Sequence, residues 1–247
     1  MNGVVDGDIV ELARIDAVVE AHDWAFARDH AAEIAAHWAG ISAGNPAMYD
    51  GRVMLQHRGA VREGVFEAGY FETDYSAFIA WRDFGHPDPV VRNGFAMAAL
   101  RAADGAFLCG RMAQHTANAG QVYFAAGTPD RDDATPDGRL DLAGSALREL
   151  IEETGLSADE IAVERRWSAV ILPGRIAFMR PVSIALPAEE ARDLMLARMA
   201  LQAEPELADI VIIRDPADRD RCAMPPFMRR YLAHIWGDDS NSSRSDG

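Results

Sequence analysis

Residues 148–156, Arg148-Glu149-Leu150-Ile151-Glu152-Glu153-Thr154-Gly155-Leu156, carry three carboxylates at helical spacing and stop on a glycine. On a helix, residues three and four apart are neighbours, so Glu149 stands beside both Glu152 and Glu153. Three adjacent anions repel one another. An Arg148–Glu152 pair at i,i+4 returns only about 0.2–0.5 kcal/mol, too little to account for the cluster. A divalent cation among the three would account for it. Hard cations such as Mg²⁺ take carboxylate oxygens and complete their shell with water and substrate phosphates. The stretch therefore points to metal-assisted chemistry on a phosphate ester or anhydride.

Working outward, Asp141 is the N-cap of a helix over Leu142 to Thr154, and Gly155 ends it. Before it, Gly127 to Arg139 is rich in Gly, Pro, Asp and Thr and predicts an irregular surface loop. Phe95 to Leu100 and Ala106 to Cys109 predict a strand pair around Asp104-Gly105, followed by a loop at His115 to Gly120 and a short strand, Val122 to Phe124. After the helix, Val163 to Ile171 and Arg175 to Ile184 read as strands around Pro173-Gly174. Pro187 to Leu201 reads as a helix, Ile210 to Arg214 as a strand and Arg221 to Trp236 as a closing helix. The order predicts an α+β fold with helices on both sides of a mixed sheet.

The first 92 residues read as an extension packed on a main domain of residues 93–236, with residues 237–247 a disordered tail. Residues 10–40 are alanine-rich with apolar residues at helical spacing and predict one or two helices, which Asn45-Pro46 breaks. Val53 to His57 and Val61 to Phe66 predict a hairpin around Arg58-Gly59. Tyr75 to Phe84 predicts a short aromatic helix ended by Gly85.

The net charge of −15 argues against a non-specific nucleic-acid binder. All 24 basic residues are arginine, which excludes a phosphate-binding or Schiff-base lysine and leaves arginine, the better bidentate phosphate ligand. Two cysteines, Cys109 and Cys222, are too few for a disulfide framework or a zinc cluster. Met1 to Ile9 holds acids and no basic-then-apolar leader, and no apolar run reaches membrane-spanning length, so a cytoplasmic protein without membrane partners is expected.

Residues 148–156 resemble the right half of the Nudix box, G-x5-E-x7-R-E-U-x-E-E-x-G-U with U aliphatic, and match all seven specified positions in that half. The left half departs from the pattern: the family's glutamate falls at Leu140 and its glycine at Ala134, with Gly138 and Asp141 as the nearest stand-ins. The surroundings are similar as well: Arg111 ends a strand pair ahead of Gly120 to Phe124 and the turn Ala126-Gly127, and Glu204-Pro205-Glu206-Leu207 precedes a late strand. Asn45-Pro46, Leu55-Gln56-His57, Thr73-Asp74-Tyr75 and Gly127-Thr128-Pro129-Asp130 resemble the branch that hydrolyses UDP-glucose and UDP-galactose.

The resemblance implies a Nudix-type α/β/α sandwich and Mg²⁺-dependent (or Mn²⁺-dependent) hydrolysis of a nucleoside diphosphate derivative, a UDP-sugar among the candidates. Glu149, Glu152 and Glu153 would hold metal. Arg148 would orient a carboxylate, and Glu206 or Glu204, with Asp141 and Asp130 behind them, would act as general base. Arg111 and Gly127 would meet substrate. The alternative is a non-catalytic nucleotide-binding protein of the same fold, which the loss of the box glutamate favours. A relic interaction domain and a diphosphate isomerase are further readings, and a homodimer is the default expectation for assembly.

Overall fold

The computed structural model describes residues 2–3, 5–44, 48–116 and 118–238. Two sheets make up the β layers. The larger has the order β12-β7-β6-β11-β10-β2, from β2 (Ile9–Leu12), β6 (Asn93–Arg101), β7 (Phe107–Met112), β10 (Trp167–Leu172), β11 (Arg175–Ile184) and β12 (Leu207–Ile213). On its flanks, β8 (Val122–Tyr123) pairs with β7 and β9 (Ile161–Val163) with β11. β6 and β11 run parallel while the other pairs are antiparallel, so the sheet is mixed and the class α+β.

The smaller sheet is β1-β4-β5-β3, from β1 (Asn2–Gly3), β3 (Arg14–Val19), β4 (Arg52–Arg62) and β5 (Val65–Asp74). Helices α1 (Ala25–Asp29), α2 (Ala31–Ser42) and α3 (Tyr75–Asp83) accompany it. Around the larger sheet lie α4 (Leu142–Thr154), α5 (Ala188–Met199), α6 (Pro216–Asp220) and α7 (Pro226–Trp236). β10 is buried along its whole length and apolar except for Ser168, as suits a strand covered on both faces. Ala169 and Ile171 of β10, with Ile176 and Phe178 of β11, share a cluster with Met54, Phe66 and Tyr70 of the smaller sheet and Leu140, Leu142 and Ala146 around the start of α4. The alternate residues Val170, Leu172, Ala177 and Met179 belong to the main core with Leu150 of α4, Met195 of α5 and Phe227 and Tyr231 of α7.

Three sequence expectations are corrected. Residues 10–40 are not helical throughout. Ile9–Leu12 joins the larger sheet against Trp167 to Val170, and Arg14–Val19 runs parallel to Val65 to Tyr70. The β-branched residues Ile9, Val10, Ile15, Val18 and Val19 suit a pleated surface, and sheet pairing overrides the alanine-rich helical pattern. The hairpin turns at Glu63 and Gly64, whose φ values of 49° and 76° suit a tight hairpin turn. Gly59 lies inside β4 instead, where an added Cβ would collide with Gln56 and press within 2.8 Å of Phe66. The closing helix begins at Pro226 rather than Arg221, because prolines suit a helix's first positions and not its interior, and a separate short helix, Pro216–Asp220, precedes it. Asn45, Pro46 and residues 239–247 of the expected tail lie outside the described residues.

Candidate active site

α4 forms as its local sequence dictates. The Asp141 carboxylate accepts from the Gly144 N–H at 2.9 Å, and Gly155 closes the helix in the left-handed region at φ 72°. At about 100° per residue, Glu153 falls roughly 20° from Leu142, so it shares the helix face that Leu142, Ala146 and Leu150 bury. Glu153 is accordingly only 7% exposed. Glu149 is half-buried beside it, whereas Glu152 faces solvent.

The chain preceding the helix covers these carboxylates. Gly127 lies so close to Glu149 that an added Cβ would stand 2.5 Å from its Oε1. The Ala126 N–H bonds the Glu153 carboxylate and favours its charge. That single bond is outweighed. Burial, with Glu149, Glu206 and Glu152 nearby, pushes the Glu153 carboxyl up to about 8. Burial likewise pushes Glu149 up to about 7, against the pull of Arg148. Glu153 also sits in the last turn of α4, where the helix dipole disfavours an anion. Oε2 of Glu153 is buried and accepts no hydrogen bond among the described residues. Tyr123, pushed up to about 12 mainly by burial, feels the charges of Glu153 and Glu206, so its hydroxyl borders the same cluster.

Arg148 bonds Asp133 at 2.7 Å and reaches Glu149 at 3.5 Å. Its partner is thus Asp133, not Glu152 as the i,i+4 spacing suggests. Asp133 is 4% exposed and also accepts from the Asp130 N–H at 3.1 Å, inside a single 3₁₀ turn, Arg131–Asp133. Sequence reading passed over Asp133 as one acid among several in a polar loop. Its signal was the spacing Asp130-x-x-Asp133, a reciprocal cap.

Of the other expected site residues, Glu206 faces the cluster electrostatically from the exposed turn before β12. Asp141 and Asp130 serve as local caps, and Glu204 is exposed on the turn before β12. Arg111 pairs through its backbone with Asp209 and Val122, and its charge is felt by the Cys222 thiol. It does not line the adjoining cavity. Leu140 is 5% exposed in the core joining the two sheets.

Among the described residues, no three His, Cys, Asp or Glu side chains converge tightly enough to hold a cation as they stand. The donors nonetheless fit one. Hard-oxygen carboxylates lie buried together, one oxygen lacks any partner, and a glycine keeps the space in front of Glu149 narrow but free of a side chain.

Beside Gly127 opens a cavity of about 180 Å³, lined on one side by Tyr75, Phe78, Trp81 and Arg82 of α3 and on another by Gly174 and Arg175. Sequence reading named none of the α3 residues here as site residues, because α3 and the Gly174-Arg175 turn are about a hundred residues apart in the chain.

No known family model matches the chain and no curated protein does. Among solved structures, the chain is similar to a Nudix hydrolase from M. Smegmatis, RenU, with 15% identity over 62% of this chain and 88% of that one, at a TM-score of 0.38. It is also similar to the E. coli ORF135 protein, with 18% identity over 63% of this chain and 96% of that one, at a TM-score of 0.33. Likenesses of this size lend the chain no function, which has to be read from its own residues.

Proposed function

We propose that this chain is a divalent-metal-dependent hydrolase of the Nudix type that cleaves the diphosphate of a nucleoside diphosphate derivative. The observation that carries the reading is the buried pair Glu149 and Glu153, whose negative charge burial and their mutual proximity disfavour and one of whose oxygens has no hydrogen-bond partner among the described residues. The match of residues 148–156 to the Nudix box supports it.

Glu149, Glu152 and Glu153 would hold Mg²⁺. A cation there supplies charge neutralisation for the diphosphate and a water of lowered pKa. The chain's own residues set the stage. Asp133 fixes Arg148, and Arg148 in turn steers Glu149. The Ala126–Gly127 segment shields the carboxylates on the loop side. Glu206, on an exposed turn facing the pair, takes the proton of the attacking water. A UDP-sugar is the substrate that the N-terminal resemblances favour.

The test is a panel of nucleoside diphosphate derivatives with Mg²⁺, read as phosphate released by a coupled phosphatase. Turnover that disappears on chelation and falls on the order of 100-fold in Glu152→Gln, a loss of about 3 kcal/mol, is expected. Turnover unaffected by chelation or by the variant overturns the metal assignment. One observation favours the non-catalytic alternative: the position of the family's box glutamate is a core leucine, Leu140. That alternative gives nucleotide binding without turnover on the same panel.

A further inference from the structure

The cavity beside Gly127 has an unusual electrostatic lining. The chain carries 39 acidic residues against 24 arginines, yet among the described residues no Asp or Glu lines this cavity. Arg82, Arg175 and His86 do. Arg82 is bonded to Asp83 at 2.8 Å. Arg175 is half-buried, and among the described residues its guanidinium has no hydrogen bond or ion pair. Burial and the neighbouring charge of Arg82 push its pKa down, as befits a cation without a counter-ion. A charge withdrawn from water without a partner is costly, so such groups are ordinarily paired.

Arg175 is held there by the backbone. Pro173-Gly174 turns the chain between β10 and β11, and Gly174, at φ 70°, packs against the His86 ring so closely that any Cβ would collide. The Gly174 carbonyl accepts from the Asn93 N–H at 2.9 Å. His86 itself adopts φ 60°, an uncommon conformation for a residue with a Cβ, and its ring stands edge-on to Trp81 at 4.5 Å. The Asn93 side-chain oxygen, at the cavity wall, is buried without a donor. Trp81, Phe95 and Phe227 supply flat apolar walls. At about 180 Å³ the space suits a single ring, since a cavity of roughly 150 Å³ holds benzene.

We infer that this cavity is an oxyanion subsite in which Arg175, with Arg82 beside it, binds the phosphate retained on the ring-bearing fragment of the substrate. The assignment of that fragment to a cleaved diphosphate rests on the hydrolase reading above; the binding itself does not. Helix α3, from the region before residue 93, then contributes to substrate choice. An anion bound at Arg175 also supplies a counter-charge to its guanidinium.

The experiment is calorimetric titration of the full-length, chelator-treated protein with the four common nucleoside monophosphates, their unphosphorylated nucleosides and inorganic phosphate. The same titrations and a melting curve are repeated on Arg175→Met. At least one monophosphate binds the parent without metal, and its nucleoside binds roughly tenfold more weakly or worse. Arg175→Met loses about that factor for the monophosphate, while its own melting temperature stays level or rises, because an uncompensated cation has been removed. Nucleosides binding as well as monophosphates, or a variant that melts several degrees lower and binds monophosphate unchanged, overturns the subsite. Binding of inorganic phosphate as tight as that of every monophosphate removes the ring from the proposal and refutes it as stated.

Failure of the two readings is distinguishable. Arg175-dependent monophosphate binding with no diphosphate turnover sinks the hydrolase and keeps the subsite. Turnover with KM unchanged in Arg175→Met and no monophosphate binding does the reverse.

Discussion

Replacing Glu153 by glutamine should make the metal-free protein more stable at alkaline pH and deaf to Mg²⁺. Glu153 is 7% exposed and its carboxyl is pushed up to about 8 from an ordinary 4.5. A folded state that raises an acid's pKa binds its proton more tightly than the unfolded chain does. The stability this confers is therefore fully present below pH 4.5 and is lost as pH rises through about 8. The difference corresponds to roughly 4–5 kcal/mol for an isolated group. Glu149 and Glu206 share the same repulsion, and the Ala126 N–H offsets part of it, so about 2 kcal/mol is the expected gain in Glu153→Gln at pH 9. Glutamine keeps the shape and the acceptor for Ala126 while removing the buried charge. For a chain of this size the gain amounts to roughly 4–8 °C in melting temperature. The assay is a set of melting curves in chelator from pH 5 to 9, repeated with millimolar Mg²⁺. The two proteins should coincide near pH 5 and diverge as pH rises, and added Mg²⁺ should raise the parent and not the variant. Parallel curves, or a variant less stable than the parent at pH 9, would refute the claim that Glu153 is an uncompensated buried acid.

Three further outcomes follow from the same geometry. Gly127→Ala places a methyl 2.5 Å from Glu149 Oε1 with no backbone strain, so it should cost about 1–3 kcal/mol by overpacking yet lower kcat at least tenfold; equal kcat in parent and variant would show that Glu149 has no defined position to lose. Asp133→Ala leaves Arg148 without its 2.7 Å partner and the Asp130 N–H without an acceptor, and chemical denaturation should record a loss of about 2–3 kcal/mol; a change below 0.5 kcal/mol would show that the buried Asp133 side chain holds nothing. Leu140→Glu, which restores the Nudix pattern on paper, should unfold the protein or cost more than about 3 kcal/mol, because that side chain is 5% exposed among apolar residues; a stable, more active variant would mean that Leu140 can reach the carboxylates.

α4 was legible because its signals are local. Asp141 caps, Gly155 stops, and Leu142, Ala146 and Leu150 recur every four residues, all within one short segment. The strands at 9–19 were not legible, since alanine spacing mimics a helix and only pairing with Trp167 to Val170 and Val65 to Tyr70 settles the competition. Gly59 and Gly64 look alike in sequence. One permits a close approach of side chains and the other a left-handed turn, and only the packed hairpin tells them apart.

By itself the sequence determined that three carboxylates share one helix beside Arg148, because i, i+3 and i+4 spacing is a property of the helix alone. Tertiary structure decided their states. Glu153 is buried and Glu152 solvated, Arg148 turns to Asp133, and the Ala126–Gly127 segment covers the pair. The same holds for Arg175, which shares a cavity with Arg82 though 93 residues separate them in the chain. Charge compensation depends on desolvation and on partners that meet only on folding, so no local pattern records it.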